Sequence, residues 1–319
     1  MSAEPTRPAG AAVPDVVPDV VALPGRDVHL AVRRTVPVGG PWALAVLVHG
    51  LASNARMWDA CAAALARHGV ASVAVDQREH GASATLPDAP RTAGTVDTPT
   101  AAGDVAALVG LLRSEHAFSG LPVVLAGQSW GGNVVLEAAA RGVEGVAALA
   151  LVDGGWLRFD GDEPFEQVWR RLAPPGWDGA TWRDAEDRLA TALADWGPHA
   201  LPAVLANLTS EPPGDPDGRV RNVLPLASHE RILRSMHAQD PRTLYPAVTV
   251  PVLLAPAGRQ PSADRVAEAV AGLSHPLLRR YDDAHHDLHL QHPDRLAADL
   301  VDVLAAAGVR PPEHQEEPS

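Results

Sequence analysis

The pentapeptide Gly127-Gln128-Ser129-Trp130-Gly131 places a hydroxyl between two glycines. It directly follows the apolar run 123–126 and opens a helical stretch from residue 132. Glycines two positions to either side permit a sharp strand-to-helix turn where a side chain would collide. The Ser129 oxygen then projects above the strand ends, at a helix N-terminus whose amides favour developing negative charge. Such a serine suits nucleophilic attack on a carbonyl, provided a base takes its proton. A helix-capping serine is the plain alternative. Candidate bases crowd one loop near the far end of the chain, Ala284-His285-His286-Asp287-Leu288-His289-Leu290-Gln291-His292-Pro293.

Histidine and aspartate also suit zinc or iron. Adjacent residues in an extended loop point apart, however, and no matching ligand cluster stands elsewhere with motif spacing. No metal ligand set is expected. The 26 basic residues are all arginine, which removes lysine Schiff bases, Ser-Lys dyads and lysine-dependent phosphate loops. A net charge of −13 argues against nucleic acid and anionic lipid as partners. The single cysteine, Cys61, forbids an internal disulfide and reads as a small buried hydrophobe. No apolar run reaches the roughly 18 residues of a membrane span, and no secretory signal is visible, so a cytoplasmic protein is expected.

The elements that must carry these groups follow from the apolar pattern. With 46% hydrophobic residues in 319, one large α/β domain with an insertion is affordable. Unbroken apolar runs at 43–48, 70–75, 122–126, 146–152, 250–255 and 276–281 predict strands covered on both faces. Helical spacing intervenes at 54–68, 100–115, 132–141, 263–271 and 293–307, as in Leu296, Leu300 and Leu304. Strand–helix alternation implies a parallel sheet with right-handed crossovers. Residues 1–24, with prolines at 5, 8, 14, 18 and 24, read as a flexible leader, and 309–319 as a flexible tail. Between 155 and 245 no strand-like run is seen, only helical pieces separated by proline and glycine. That insertion is expected to form a helical cap over the carboxyl ends of the strands, dividing the core into 25–154 and 246–308.

The chain resembles the α/β-hydrolase superfamily over about residues 26–308. The resemblance implies a mostly parallel eight-stranded sheet with helices on both faces and a helical cap. Its final strand leads into a G-H-x-x-x-x-E-x-P loop; counting back from Pro293 puts Gln291 at the glutamate, His286 at the histidine and His285 at the glycine. The implied base is therefore His286, with His285 a weaker choice. Val48-His49-Gly50-Leu51 resembles the turn that supplies half of an oxyanion hole, which implies the Leu51 and Trp130 amides. Asp76-Gln77-Arg78-Glu79-His80-Gly81-Ala82-Ser83 looks like the family's D-x-R-G-x-G-x-S turn, with Glu79 in place of a glycine.

The family's triad acid usually follows the seventh strand in a G-x-x-D setting. Here Pro256-Ala257-Gly258-Arg259-Gln260-Pro261 puts a proline at that place. A family variant carries the acid at the end of the sixth strand, which implies Asp153 in Leu151-Val152-Asp153-Gly154-Gly155. Parallel spacing brings that strand end roughly 5 Å from the strand of Ser129. Asp264 is the alternative acid, and a turn aspartate is the alternative role for Asp153. The expectation is a carboxylesterase-like serine hydrolase that cleaves an ester, thioester or lactone of an apolar small molecule, without metal or organic cofactor. A peptidase, C–C hydrolase or lyase on the same triad, or a non-catalytic binding homologue, are the alternatives. Trp58, Trp130 and Trp156 are expected beside the substrate, and the other cap tryptophans in a small core of the cap.

Overall fold

The computed structural model describes residues 15–86, 96–159, 163–174, 176–258 and 263–312. Its strands are β1 (Val17–Ala22), β2 (His29–Thr35), β3 (Ala43–Val48), β4 (Val70–Val75), β5 (Val123–Gln128), β6 (Val146–Val152), β7 (Leu208–Glu211), β8 (Arg219–Asn222), β9 (Val252–Ala255) and β10 (Pro276–Leu278). The α-helices are α1 (Asp59–Arg67), α2 (Thr98–Ser114), α3 (Trp130–Ala140), α4 (Phe165–Leu172), α5 (Trp182–Ala192), α6 (Ala200–Leu205), α7 (Leu226–Ala238), α8 (Ala263–Gly272), α9 (Leu288–Gln291) and α10 (Pro293–Ala306).

Every residue of β3, β4 and β5 is buried, as strands covered on both faces require. Alternation along β3 assigns the two layers. Leu44, Val46 and Val48 pack with Leu108 and Leu112 of α2 and Val134 of α3. Ala43, Ala45 and Leu47 pack with Cys61 and Leu65 of α1 and Leu296, Leu300 and Leu304 of α10. Eight strands form one sheet in the order β1-β2-β4-β3-β5-β6-β9-β10. The β1–β2 and β2–β4 pairs are antiparallel and all the others parallel. The chain crosses from β4 past β3 to β5, so the strand order reverses beside β3, and such a reversal opens a crevice at the strands' carboxyl ends.

Two expectations need correction. The leader is not flexible throughout: Val17–Ala22 forms edge strand β1, paired with His29–Arg34. It escaped notice because it is mostly exposed and contains Pro18, which only an edge strand tolerates. The insertion is not wholly helical either, since β7 and β8 form an antiparallel hairpin between α6 and α7. Each strand has four residues and few apolar ones; Leu208 and Val220 close on Ala185 with Trp177 and Trp182 beside them. Residues 1–14, 259–262 (with Pro261) and 313–319 lie outside the described residues. Among the described residues, no helix is long and apolar enough to cross a membrane.

Candidate active site

Ser129 stands between β5 and α3 with φ 55° and ψ −124°. This left-handed backbone is rare for a residue with a Cβ, and the surroundings must hold it in place. The Ser129 N–H donates to the Val152 carbonyl at 2.9 Å, and its own carbonyl accepts from Gly132 N–H at 2.9 Å. The flanking glycines serve close approach. A Cβ on Gly127 would lie 2.2 Å from the Gly131 oxygen, and one on Gly131 would lie 2.5 Å from the Val48 and His49 oxygens. Helix α3 can therefore start directly against the end of β3.

Asp153 follows β6, the neighbour of β5 in the sheet, and also has a positive φ of 43°. Its Oδ2 lies 2.6 Å from Nδ1 of His286, and its Oδ1 accepts from the Ala257 N–H at 3.1 Å. The carboxylate side chain is 5% exposed and that of His286 53%. Nδ1 must carry the hydrogen to donate to a carboxylate, which leaves Nε2 as the basic nitrogen. Desolvation opposes the imidazolium, but the hydrogen bond and charge of Asp153, helped by the charge of Asp287, outweigh it and raise the His286 pKa above 6.5. Gln128 fixes the loop to the serine strand by donating to the His286 carbonyl at 3.1 Å. Gln291, in the glutamate's place, accepts from the His285 N–H at 2.7 Å and closes the loop on itself.

The turn after β3 is held by two histidines that sequence reasoning did not single out. His49 donates from Nδ1 to the Gly50 carbonyl at 2.7 Å and accepts at Nε2 from Gln77 N–H at 3.1 Å. His80 accepts at Nε2 from the Ala52 N–H at 3.3 Å and donates from Nδ1 to the Arg78 carbonyl at 2.8 Å. Burial keeps both neutral: His49 falls well below 6.5, and His80 to about 4. This framework sets the backbone of Leu51, and the Trp130 N–H at the first position of α3 has no intrahelical acceptor. The Glu79 departure also has a use. It takes the glycine-like φ of 62°, and its carboxylate accepts from Ser228 on α7 and faces Arg231 at 3.6 Å.

Ser129, His286 and Leu51 line one cleft of about 340 Å³ with Leu157, Phe159, Leu172, Leu233 and Met236, and with Arg158, His229 and Arg265. The expected tryptophans do not line it. Trp58 is fully buried beneath the sheet's α1 face, its ring 4.6 Å from that of His289. Trp156 is 2% exposed in the opposite layer, and Trp130 is buried with Nε1 donating to Thr98 at 3.0 Å. Their large apolar surfaces gain more from close packing than a cleft wall offers. The remaining cap tryptophans divide: Trp177 and Trp182 pack with the hairpin, Trp196 with α6 and Met57, and Trp169 against the main core. The histidine loop disperses likewise. His285 stacks on Trp196 at 5.6 Å, His289 is buried on Trp58, and His292 turns to Tyr281 at 5.9 Å. Asp264 sits exposed in the first turn of α8.

Comparison with known proteins bears on this geometry. The model of the "Alpha/beta hydrolase family" matches residues 45–299. Lipase LipV of Mycobacterium tuberculosis is 32% identical over 192 residues, 60% of this chain and 65% of that protein, just under two thirds of its length. The 2-succinyl-6-hydroxy-2,4-cyclohexadiene-1-carboxylate synthase of Salmonella arizonae is 24% identical over 275 residues, 83% of this chain and 94% of the synthase. Among solved structures, an E-2-(acetamidomethylene)succinate hydrolase superposes with a TM-score of 0.68 at 20% identity, over 91% of this chain and all of the other. At that identity the likeness concerns the fold.

Proposed function

The chain belongs to the alpha/beta hydrolase family, and on that premise we propose that it is a serine hydrolase cleaving an ester, thioester or lactone of a largely apolar small molecule. The observation that carries this reading is the 2.6 Å contact of His286 Nδ1 with Asp153, on the cleft that Ser129 also lines. His286 Nε2 takes the Ser129 proton as Oγ attacks the carbonyl carbon. The resulting oxyanion is held by the Leu51 and Trp130 amides, at the positive end of α3. The leaving group departs with the proton from His286, giving an acyl-enzyme, and His286 then activates water to release the acid. Asp153 holds the imidazole in the needed tautomer and stabilises its cation without itself taking a proton. The apolar side chains of the cleft favour an apolar acyl group, and none of these steps requires a cofactor.

A second reading, C–C hydrolase or lyase chemistry on the same triad, takes its support from the similarity, along most of its length, to a Salmonella protein named as a synthase rather than a hydrolase. Labelling with a fluorophosphonate, which needs an activated serine, tests both against a non-catalytic binding role. Wild type is expected to label and Ser129→Ala not to; an unlabelled wild type would overturn the enzyme reading. Products from a library of esters, thioesters, lactones and C–C substrates then separate hydrolysis from lyase chemistry.

A further inference from the structure

Three polar side chains of the cleft, Arg158, His229 and Arg265, have no part in the steps above, and of these only the neutral ring of His229 carries an acceptor. His229, Leu233 and Met236 share a face of α7, at helical spacings of four and three, and all three line the cleft of Ser129 and His286. His229 is only 5% exposed. Its Nε2 lies 2.9 Å from the carbonyl oxygen of Leu172. A carbonyl only accepts, so Nε2 carries the hydrogen and Nδ1 of the neutral ring is a bare acceptor. That Nδ1 is buried and has no hydrogen-bond partner. Trp169 meets the ring edge-on, 6.0 Å away at 80°, and with Leu172 holds its orientation. Burial outweighs the Leu172 bond and lowers the pKa, so the ring is neutral at pH 7 and its acceptor persists.

Buried polar groups are normally satisfied, and an orphan acceptor on a residue of a cleft lined by apolar side chains and by the donor-only guanidinium groups of Arg158 and Arg265 is a site waiting for a donor. We propose that His229 is a specificity residue, and that its Nδ1 accepts a hydrogen bond from a hydroxyl or N–H group of the bound substrate. This rests on the serine-hydrolase reading of the same cleft. It narrows the substrate class from plain alkyl or aryl esters to those with one donor on an apolar frame. A site built around a hydrogen bond rejects the analogue that lacks it, because the acceptor is then left unmade. The cap would thus select by chemistry as well as by size.

Arylboronic acids, which bond reversibly to an activated serine oxygen and shield it, provide the probe. The 2-, 3- and 4-hydroxyphenylboronic acids are each compared with the fluorophenylboronic acid substituted at the same position, as competitors of fluorophosphonate labelling at Ser129. In wild type at least one hydroxyl isomer should compete about 3- to 10-fold better than its fluoro twin, the range of one neutral hydrogen bond. His229→Phe should abolish that preference, and His229→Gln, which keeps an acceptor, should retain part of it. Comparing the hydroxyl-to-fluoro ratio between variants cancels differences in boron acidity, which are the same for each variant. If no hydroxyl isomer is preferred in wild type, or if the preference survives in His229→Phe, the inference is overturned; the wild-type series decides this even where the Phe variant does not fold. If wild type does not label at all, the hydrolase reading itself has failed, a distinguishable result.

Discussion

His286 and Asp153 lie 133 residues apart in the chain, yet Nδ1 of one and Oδ2 of the other are separated by 2.6 Å. The acid is supplied by β6, which lies between the serine strand β5 and β9, so both partners of the imidazole come from adjacent strands of one rigid sheet. The carboxylate is buried and takes a second hydrogen bond from the Ala257 amide, which leaves its orientation little freedom. Rigid support of this kind lets an imidazole be held in one tautomer.

The first prediction tests which carboxylate serves. Asp153→Asn should lower kcat by about 10³–10⁴, the loss expected when the imidazole is held in the wrong tautomer. Asp264→Asn, on the exposed first turn of α8, should change it less than about twofold. Steady-state kinetics on a substrate from the ester library decides, and the reverse ranking would move the acid to α8.

The rate should depend on pH through His286. Its pKa is raised above 6.5, so activity should rise with deprotonation along a limb centred above that value. Removal of the Asp153 charge should move the limb to lower pH. A profile of kcat/KM that stays flat from pH 5 to 8 would exclude His286 as the base.

Stability should fall in acid through other histidines. His80 and His289 are buried with folded pKa values of about 4, and His49 is also lowered. Between pH 6.5 and 4 the unfolded chain binds protons that the folded chain refuses, so their contribution is intact above 6.5 and lost as pH falls. His80 and His289 should each cost on the order of 2 kcal/mol at pH 5, and His49 acts in the same direction. His286 acts in the opposite sense: its raised pKa stabilises below 6.5, and that contribution is lost as pH rises through the folded value. Urea unfolding at pH 8 and pH 5 measures the balance, and equal stabilities would contradict the buried neutral state of these rings.

Two glycine substitutions should part company. A Cβ on Gly154 would lie 2.0 Å from the Ser129 carbonyl oxygen, so Gly154→Ala must displace the serine backbone. Loss of several kcal/mol and of fluorophosphonate labelling is expected. Gly110, exposed in α2 with nothing within 4 Å of an added Cβ, is the counterpart. Gly110→Ala should stabilise by about 0.5–1 kcal/mol and leave labelling unchanged. Thermal unfolding and labelling rates read both.

Trp58 provides a test of its place in the core. Trp58→Phe leaves part of its buried volume empty and should cost about 1–3 kcal/mol, while KM stays within about twofold. A large rise in KM at unchanged stability would return this residue to the substrate site.

Local pattern alone determined a good deal. Apolar runs with helical spacing between them specified the parallel strands and their flanking helices, because residues covered on two faces leave no polar period to misread. The Gly127–Gly131 pentapeptide specified a serine at a strand-to-helix turn, since a Cβ at either glycine collides with backbone. What failed was what local pattern does not encode. β1 and the β7–β8 hairpin are short or exposed, and they exist through hydrogen bonds to a partner strand. Trp58 and Trp156 are near the site in sequence, but the sheet turns them into its two opposite layers. The family resemblance already implies His286 as base and Asp153 as acid; tertiary structure alone supplied the 2.6 Å distance between them, the His49 and His80 support of the oxyanion turn, and the unpartnered nitrogen of His229. Each joins residues from separate elements, and only the packing of sheet and cap fixes the distance between them.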